Sequence, residues 1–442
     1  MTTATAAGAR PPRDRASFHR GALALGRPEV HQNPYPYYRW LQEQGPCFDA
    51  GGLWVVSRFE QVNALLRDRR LGSDLRRATK PLLTGELELP LEGDGGESER
   101  SLGHWIGQQL ARPLEPYERR IVHWAAGKSM VGLDGDAHAR QRRLVSDAFT
   151  PKAIRELEPA IRRRTRALLD AAGNRFDAIG DLGYPLPLGV ISDLMAVPAP
   201  EQERMREWSG ALTRATDPTA SRGERRRAAL AALGFSSFIL GEIPGRRDTP
   251  GDDLLSRLVG ATEGEDALTT MEMVGNVVLL LVAGHETTTN LIGNGIWALL
   301  RHPEQYERLR EDPTLLEATI EEVLRYDSPG QLTYRTALED IEIDGVRVKQ
   351  GEQLILLVGA ANTDPRIFER PDSFEIGREG RSHIAFGAGP HFCLGAPLAR
   401  LEAKVAFEEL ADRGTLKHAG ARPRYRRNFT HRGLEGLQVR LS

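Results

Sequence analysis

The sequence predicts a mainly α-helical fold with a smaller β-rich portion. Residues 268–300 form one long, mainly apolar run with helical periodicity, and shorter amphipathic runs lie on both sides of it. After Pro329 the pattern changes to short segments that are typical of strands. We predict four strands in that region, at residues 332–336, 339–343, 346–348 and 353–358.

The N-terminal part is expected to add strands to the sheet. Residues 1–28 are rich in Ala, Arg, Pro and Gly and contain one acid, Asp14, so we predict a disordered tail over residues 1–30. Residues 31–442 then form one folded domain. Its first predicted elements are a helix at 34–41, strands at 47–50 and 53–56 separated by Gly51-Gly52, and a helix at 59–68.

The middle of the chain combines one irregular segment with several helices. Residues 72–133 lack a clear period, and we expect residues 84–125 within them to form a lid that responds to substrate. A connection rich in Gly, Asp and Pro is predicted at 244–253. The remaining predicted helices are 134–148, 151–172, two within 199–240, and then 303–310, 315–326 and 396–410.

Composition excludes several classes of protein. The 442 residues are 40% hydrophobic and 27% charged with a net charge of −2, which gives no overall attraction to nucleic acid. No apolar run reaches eighteen residues, so no membrane span is predicted. Cys47 and Cys393 are the only cysteines, which fits a reducing compartment. We expect a soluble, cytoplasmic monomer.

Cys393 lies in an unusual loop, Phe386-Gly-Ala-Gly-Pro-His-Phe-Cys-Leu-Gly395, directly before the predicted helix at 396–410. Backbone amides and the positive end of the helix dipole favour the thiolate there. A thiolate held in this way is a soft, strongly donating ligand that suits haem iron. A lone cysteine is more often a small buried hydrophobic residue, which is the alternative interpretation.

A second unusual stretch, Ala283-Gly-His-Glu-Thr287, interrupts the apolar run of the long helix. Gly284 costs about 1 kcal/mol relative to alanine in a helix, so a compensating role is expected. Ala283 and Gly284 are small enough for a large flat ligand to lie against the helix. Glu286 and Thr287 supply an acid and an alcohol that can pass protons inward from solvent. The alternative is a polar helix face that contacts another part of the protein.

Both stretches resemble motifs of the cytochromes P-450, and the resemblance covers nearly all of residues 30–442. The Cys393 loop is similar to the haem-binding signature of this family, and 283–287 to its oxygen-binding motif. The resemblance implies the P-450 fold, with haem b between the long central helix and the cysteine loop. It also implies a buried ion pair between Glu322 and Arg325.

The resemblance assigns roles residue by residue. Cys393 is the expected iron ligand, and Glu286 and Thr287 are the expected catalytic residues. The residues expected to bind the cofactor, four of them through its propionates, are His138, Arg142, Arg335 and His391, together with Ala283, Gly284, Phe386, Gly387 and Gly395.

The implied activity of residues 31–442 is that of a haem-thiolate monooxygenase. It would activate O2 and hydroxylate or otherwise oxidise a small organic molecule, free or carrier-bound, such as a secondary-metabolite intermediate. Ferredoxin and ferredoxin reductase would supply electrons, and Arg140, Arg143 and Arg400 are candidates for docking an acidic partner. Two alternatives stay open: an enzyme of oxidative coupling or cyclisation, and a non-catalytic haem-thiolate binding module.

Overall fold

The structure is a computed structural model that describes residues 28–49, 53–79, 128–146, 149–217, 219–261, 267–380 and 382–442. Residues 1–27 of the predicted tail and the whole of the predicted lid at 84–125 lie outside the described residues.

Helices dominate the described chain, as predicted. In chain order they are α1 (Pro28–Gln32), α2 (Tyr35–Gln44), α3 (Phe59–Leu65), α4 (Gly135–Ser146), α5 (Pro151–Glu156), α6 (Glu158–Ala172), α7 (Pro185–Leu194), α8 (Ala199–Ala215), α9 (Arg222–Asp248), α10 (Leu254–Gly260), α11 (Thr270–Arg301), α12 (Pro303–Glu311), α13 (Leu316–Tyr326), α14 (Val358–Ala361) and α15 (Ala396–Asp412).

The strands form a smaller portion and come from both halves of the chain. They are β1 (Cys47–Asp49), β2 (Leu53–Val56), β3 (Leu71–Gly72), β4 (Arg175–Asp177), β5 (Thr333–Ala337), β6 (Ile341–Ile343), β7 (Val346–Val348), β8 (Gln353–Leu356), β9 (Leu416–His418) and β10 (Gln438–Leu441). One sheet has the order β1-β2-β8-β5-β3, a second has the order β4-β10-β9, and β6 pairs with β7. In the first sheet β2 and β8 are parallel, so the N-terminal hairpin and the strands after Pro329 form one sheet.

The long helix α11 is the centre of the molecule. A capping box fixes its start: Thr269 Oγ1 accepts from the N–H of Glu272 at 3.2 Å, and the Glu272 carboxylate accepts from the N–H of Thr269 at 2.8 Å. Most of its apolar residues are buried against α7, α8, α9 and α15. Because α15 directly follows the cysteine loop, this packing sets the loop beside α11.

Several features differ from the prediction. Residues 28–30 belong to α1 rather than to the predicted tail, and Val30 is buried with Tyr37 and Leu41. Strand β6 starts at Ile341, two residues later than predicted. Residues 178–194 lie outside the predicted helices, and they form a π-helical turn followed by α7.

Helix α9 continues through the first half of the connection predicted at 244–253. Pro244 lies inside the helix and is exposed, so the carbonyl group that loses its partner can face water. Buried Ile243 and the ion pair between Arg246 and Glu242 hold the last turns in place. By length and composition, α9 could cross a membrane, and so could the bent pair of 178–194 with 199–215 if it formed one span. In this fold α9 packs on α8 and α11 along its buried face.

Candidate active site

The predicted site residues meet around one cavity of about 560 Å³ between α11 and the cysteine loop. Thr287 lies on the α11 side and Cys393 on the loop side. Glu286, Glu322 and Arg325 do not line the cavity. The predicted residues that line it are His138, Arg142, Ala283, Gly284, Thr287, Arg335, Phe386, Gly387, His391, Cys393 and Gly395.

Tight backbone geometry holds the cysteine loop. The N–H of Cys393 donates to the carbonyl of Phe386 at 2.9 Å, which closes the loop on itself. Gly387 and Gly389 have φ of 71° and 68°, a region that favours glycine. A Cβ on Gly389 would also lie 2.6 Å from the carbonyl oxygen of Leu66. These glycines therefore fix the path that delivers Cys393 to the cavity.

The thiol of Cys393 experiences opposing effects. Burial raises its pKa, and the N–H groups of Gly395 and Ala396 together with the charges of Arg142 and Arg400 oppose that rise. The amides therefore favour the thiolate as expected, but burial outweighs them and leaves a raised pKa for the protein by itself. Its physical reason is the cost of placing an anion in a largely apolar cavity. A bound metal cation removes this cost, because a coordinating thiol is deprotonated outright.

Arg335 places a buried cation on the cavity wall. Its side chain is 5% exposed and donates to Thr333 Oγ1 at 3.1 Å and to the carbonyl of Tyr334 at 2.7 Å. Within the described residues it forms no ion pair with a carboxylate. Burial lowers its pKa to about 10, opposed by the charge of Asp134. A buried guanidinium of this kind suits an anionic group of a ligand.

His138, Arg142 and His391 converge at the same side of the cavity. The rings of His138 and His391 are in tilted contact, with centroids 4.2 Å apart and an interplanar angle of 43°. Arg142 Nη2 donates to the carbonyl of Phe392 at 2.7 Å. Burial lowers the pKa of His138 to about 4, and the charges of His391 and Arg142 act in the same direction. The cluster therefore offers donors to a second anionic group.

Asp134, which the sequence analysis did not single out, supports this cluster. Its carboxylate lies 3.7 Å from His391 Nε2 and accepts the N–H of Ser73 at 2.6 Å. Burial alone would raise the pKa of Asp134, but His391 and the N–H groups of Ser73 and Asp74 hold it below its usual range. Asp134 thus joins α4, the cysteine loop and the segment after β3.

The α11 wall of the cavity has the local features expected of its motif. Thr287 Oγ1 donates back to the carbonyl of Ala283 at 2.9 Å. A Cβ on Gly284 would lie 3.1 Å from the side chain of Ile191 in α7. Gly284 therefore allows α7 to approach α11 closely, a packing role beyond the expected contact with a flat ligand.

Glu286 lies behind this wall and is 5% exposed. Its Oε2 accepts from Arg426 Nη1 at 3.1 Å, and its Oε1 lies 3.9 Å from His285 Nε2. Arg426 follows Glu286 by 140 residues, and no local sequence signal identifies it as the partner. Thr287 faces the cavity, whereas the adjacent Glu286 faces a polar cluster on the other side.

A second buried carboxylic acid, Glu402 of α15, lies close to the cavity and was missed by the sequence analysis. It is 0% exposed, and neither carboxyl oxygen has a hydrogen bond of normal geometry to a described residue. Burial raises its pKa well above the usual range, opposed only by the hydroxyl of Thr288. Thr288 itself lines the cavity beside Thr287. Burial therefore favours the protonated, neutral form of Glu402.

Glu322 and Arg325 form a buried ion pair in α13. Arg325 Nε and Nη2 each lie 2.8 Å from the Glu322 carboxylate, and both side chains are 3% exposed. Arg378 also donates to Glu322, at 3.2 Å. Arg325 Nη1 reaches the carbonyl of Asn362, whose side chain accepts the N–H of Ile384 just before the cysteine loop. The pair thus supports the segment that leads to Cys393.

Arg140 and Arg400, both candidates for docking a partner, pair with carboxylates of this chain. Arg140 donates to the Glu272 carboxylate at 2.5 Å, and Arg400 pairs with Glu321 at 2.6 Å and lies over the ring of Phe386. These contacts give Arg400 a structural role behind the cysteine loop.

The residues around the cavity fit an iron porphyrin with two propionates. The half-buried thiol of Cys393 lines the cavity on one side, and a buried guanidinium that pairs with no carboxylate of the described residues lies on its wall. A cluster of two histidines and Arg142 lies at its edge. Each donor type matches the group that it would hold: a soft sulfur ligand for iron, and cationic or N–H donors for carboxylates.

Comparisons with known proteins agree with this fit. The family model described as Cytochrome P450 matches residues 242–418. The biotin biosynthesis cytochrome P450 of Bacillus subtilis (strain 168) is 36% identical over 425 residues, covering 95% of this chain and 98% of the relative. The cytochrome P450 monooxygenase PikC of Streptomyces venezuelae is 35% identical over 401 residues, covering 88% of this chain and 86% of the relative.

A solved structure gives the same result for the fold. The crystal structure of P450BioI in complex with acyl carrier protein ligated to hexadec-9Z-enoic acid has a TM-score of 0.80 and 34% identity. The similarity covers 93% of this chain and 99% of that one. The predicted fold is confirmed, and the chain belongs to the cytochrome P450 family as a monooxygenase of the bacterial type.

Proposed function

We propose that this monooxygenase uses haem b to hydroxylate or otherwise oxidise an apolar small molecule, such as a secondary-metabolite intermediate. The observation that carries the proposal is the position of Cys393 and Thr287 on opposite sides of one cavity, with the acid Glu286 directly behind Thr287. Bound haem iron supplies the activation of O2 and the transfer of oxygen to substrate.

The side chains around the cavity have distinct roles in this proposal. Cys393 holds the iron, and the cationic and N–H donors of His138, Arg142, Arg335 and His391 hold the propionates. The Thr287 hydroxyl faces the cavity and offers a proton there, while Glu286 resupplies it from the opposite side of α11. Phe386, Gly387 and Gly395 shape the loop, and Ala283 and Gly284 leave room on the helix face.

The cavity supports an apolar substrate. Its lining includes Leu75, Val131, Leu279 and Leu332, and the lining near α11 contributes few charged groups. Apolar walls with a few oriented polar groups are typical of sites for small organic ligands. The complex of the relative P450BioI with a loaded acyl carrier protein supports carrier-bound delivery of the substrate as one form of this proposal.

A separate protein supplies the electrons in this proposal. We infer that a ferredoxin with its reductase is this electron donor. We also infer that the protein is a cytoplasmic monomer, since a protein whose two cysteines form no disulfide fits a reducing compartment. Titration with surrogate ferredoxins tests this assignment: reduction of the haem should saturate with ferredoxin concentration and weaken with salt.

The deciding experiment is the difference spectrum of the dithionite-reduced protein with carbon monoxide. A Soret band at the long-wavelength position of thiolate-ligated haem supports the proposal, and a band at the position of histidine-ligated haem contradicts it. A library of free and carrier-linked molecules is then screened for shifts of the haem spectrum. Product masses separate hydroxylation, which adds one oxygen atom, from coupling or cyclisation, which removes two hydrogen atoms.

A further inference from the structure

Glu286 is buried, so a proton must reach it through other groups. Among the described residues, two side chains with basic nitrogen lie beside its carboxylate: Arg426, at 3.1 Å from Oε2, and His285, with Nε2 at 3.9 Å from Oε1. A guanidinium stays protonated throughout the physiological pH range, so Arg426 can fix the position of Glu286 without releasing a proton to it. An imidazole both accepts and releases protons near neutral pH. His285 is therefore the group of the two that can carry a proton.

The hydrogen bonds of His285 define which ring nitrogen exchanges that proton. Nδ1 lies 2.6 Å from the carbonyl oxygen of Leu281, and since a carbonyl only accepts, Nδ1 carries a proton. In the neutral ring Nε2 is then an acceptor. Nε2 lies 3.2 Å from the hydroxyl of Tyr184, which donates to it. The same nitrogen thus faces both Tyr184 and Glu286.

Tyr184 connects His285 to the protein surface. It lies at the end of the π-helical turn before α7 and is 7% exposed, whereas His285 is 1% exposed. The guanidinium of Arg206 from α8 covers its ring at 4.6 Å, and Arg206 itself is exposed with Glu203 beside it. Arg206 and Glu203 are therefore the exposed groups beside Tyr184, and Tyr184 in turn contacts the less exposed His285.

We propose that Tyr184 and His285 form the outer segment of the proton path to Glu286. This inference rests on the proposed function, in which Glu286 resupplies Thr287. The Tyr184 hydroxyl gives its proton to His285 Nε2 and takes one from water. His285 Nε2–H then turns to Glu286 Oε1 and gives up the proton, closing the 3.9 Å gap directly or through one water. One proton moves from solvent to the carboxylate, and both relay groups return to their starting state.

The charged groups around His285 come from several elements. Glu286 lies next to it on α11, Arg426 faces it from the C-terminal segment, and Tyr184 covers it from the turn before α7. Burial lowers the pKa of His285, Glu286 opposes this shift, and Arg426 adds to it. The lowered pKa favours the neutral ring, so a proton that the ring accepts is readily passed on. Buried His431, whose pKa is also influenced by the charge of Glu286, is left unsubstituted in all variants below.

The test uses the haem-loaded enzyme with three variants. His285→Gln keeps hydrogen-bonding groups near Leu281 and Tyr184 but cannot carry a proton, and Tyr184→Phe removes the hydroxyl. His302→Gln makes the same substitution at the residue that follows α11 and serves as the matched control. Haem content and the carbon monoxide spectrum verify that each variant folds around its cofactor.

Oxygen consumption is driven by a surrogate ferredoxin and reductase, and the share of electrons recovered as peroxide is measured from pH 6 to 9 in H2O and D2O. We expect His285→Gln and Tyr184→Phe to slow turnover about 10-fold, less than the ~100-fold contribution of a full general acid because water can replace part of the path. Both should raise the peroxide share and alter the pH profile and solvent isotope effect. His302→Gln should match the wild type.

A second measurement determines the tautomer of the His285 ring directly. In the reduced, carbon monoxide-bound protein, which is diamagnetic, the 13C-labelled histidine signal that disappears in His285→Gln should show the Nδ1–H tautomer. An Nε2–H tautomer would overturn the proposal, because Tyr184 could then not donate to Nε2. Equal isotope effects and peroxide shares in His285→Gln and His302→Gln would overturn it as well, and a Tyr184→Phe variant equal to wild type would remove Tyr184 from the path.

These failures are separable from failure of the proposed function. A wild-type protein without the thiolate-type spectrum contradicts the proposed function. A wild type with that spectrum and an unaffected His285→Gln variant contradicts only the path.

Discussion

Replacing Glu322 with glutamine should destabilise the protein, because it removes the negative charge from a buried ionic network. The Glu322 carboxylate accepts two hydrogen bonds from Arg325 at 2.8 Å, bonds from Arg378 at 3.2 Å and the N–H of Glu375 at 2.9 Å. In Glu322→Gln the two guanidinium groups keep their charges but face a neutral amide in the interior. The change thus removes one partner of a buried ionic network and leaves the other uncompensated.

The magnitude follows from burial and chain length. Breaking a buried ion pair by removing one partner costs about 3–5 kcal/mol. Unfolding entropy is roughly 2 cal/mol/K per residue, so for a chain of this length 1 kcal/mol corresponds to about 1 °C in Tm. We therefore expect the Tm of Glu322→Gln to fall by about 3–5 °C. Since Arg325 also holds Asn362, which anchors Ile384, haem occupancy should fall too.

The assay is calorimetric melting of haem-loaded protein, with haem content measured per chain. Asp340→Asn is the matched control, because it breaks an ion pair with Arg347 on the exposed β6–β7 hairpin and should leave Tm unchanged. If Glu322→Gln melts within about 1 °C of this control and binds haem equally well, the buried network does not have the stabilising role assigned to it.

Three further predictions concern the site. Cys393→Ser should lose the thiolate-type carbon monoxide spectrum, because a hydroxyl is a poorer donor to iron, and a variant that kept the spectrum would contradict the ligand assignment. Thr287→Ala should retain haem but divert electrons to peroxide, whereas Thr289→Ala, a buried threonine of the same helix outside the cavity lining, should not; equal peroxide yields would contradict the role of Thr287 in proton delivery. Glu402→Gln should raise Tm. Burial raises the pKa of Glu402 in the folded protein, so ionisation of this acid in the unfolded chain increasingly favours unfolding as the pH rises above about 4.3. The gain should therefore grow from pH 5 to pH 8 in melting curves, and a gain that stays constant with pH would contradict the buried neutral acid.

The sequence predicted the local parts of the fold well where periodicity was strong. The long helix, the strands after Pro329 and the helix after the cysteine loop depend on neighbouring residues and lie close to their predicted bounds. The prediction was less accurate at Pro244, where tertiary packing of Ile243 outweighs the helix-breaking tendency of proline. Residues 178–194 form a π turn and helix whose mostly buried, apolar character gives no clear amphipathic period.

Amino-acid sequence by itself determined the two motifs, because each is a contiguous stretch whose chemistry depends on spacing: glycines that turn the chain toward Cys393, and a small, acidic and hydroxylic series on one helix. Only the tertiary structure decided what surrounds them. Arg426 reaches Glu286 across 140 residues, Tyr184 reaches His285 across 101, and Glu402 faces Thr288 from another helix. Burial likewise raises the pKa of Cys393 and outweighs the amides that favour the thiolate. These properties depend on distance and desolvation in the folded chain, and neither quantity is encoded in local spacing.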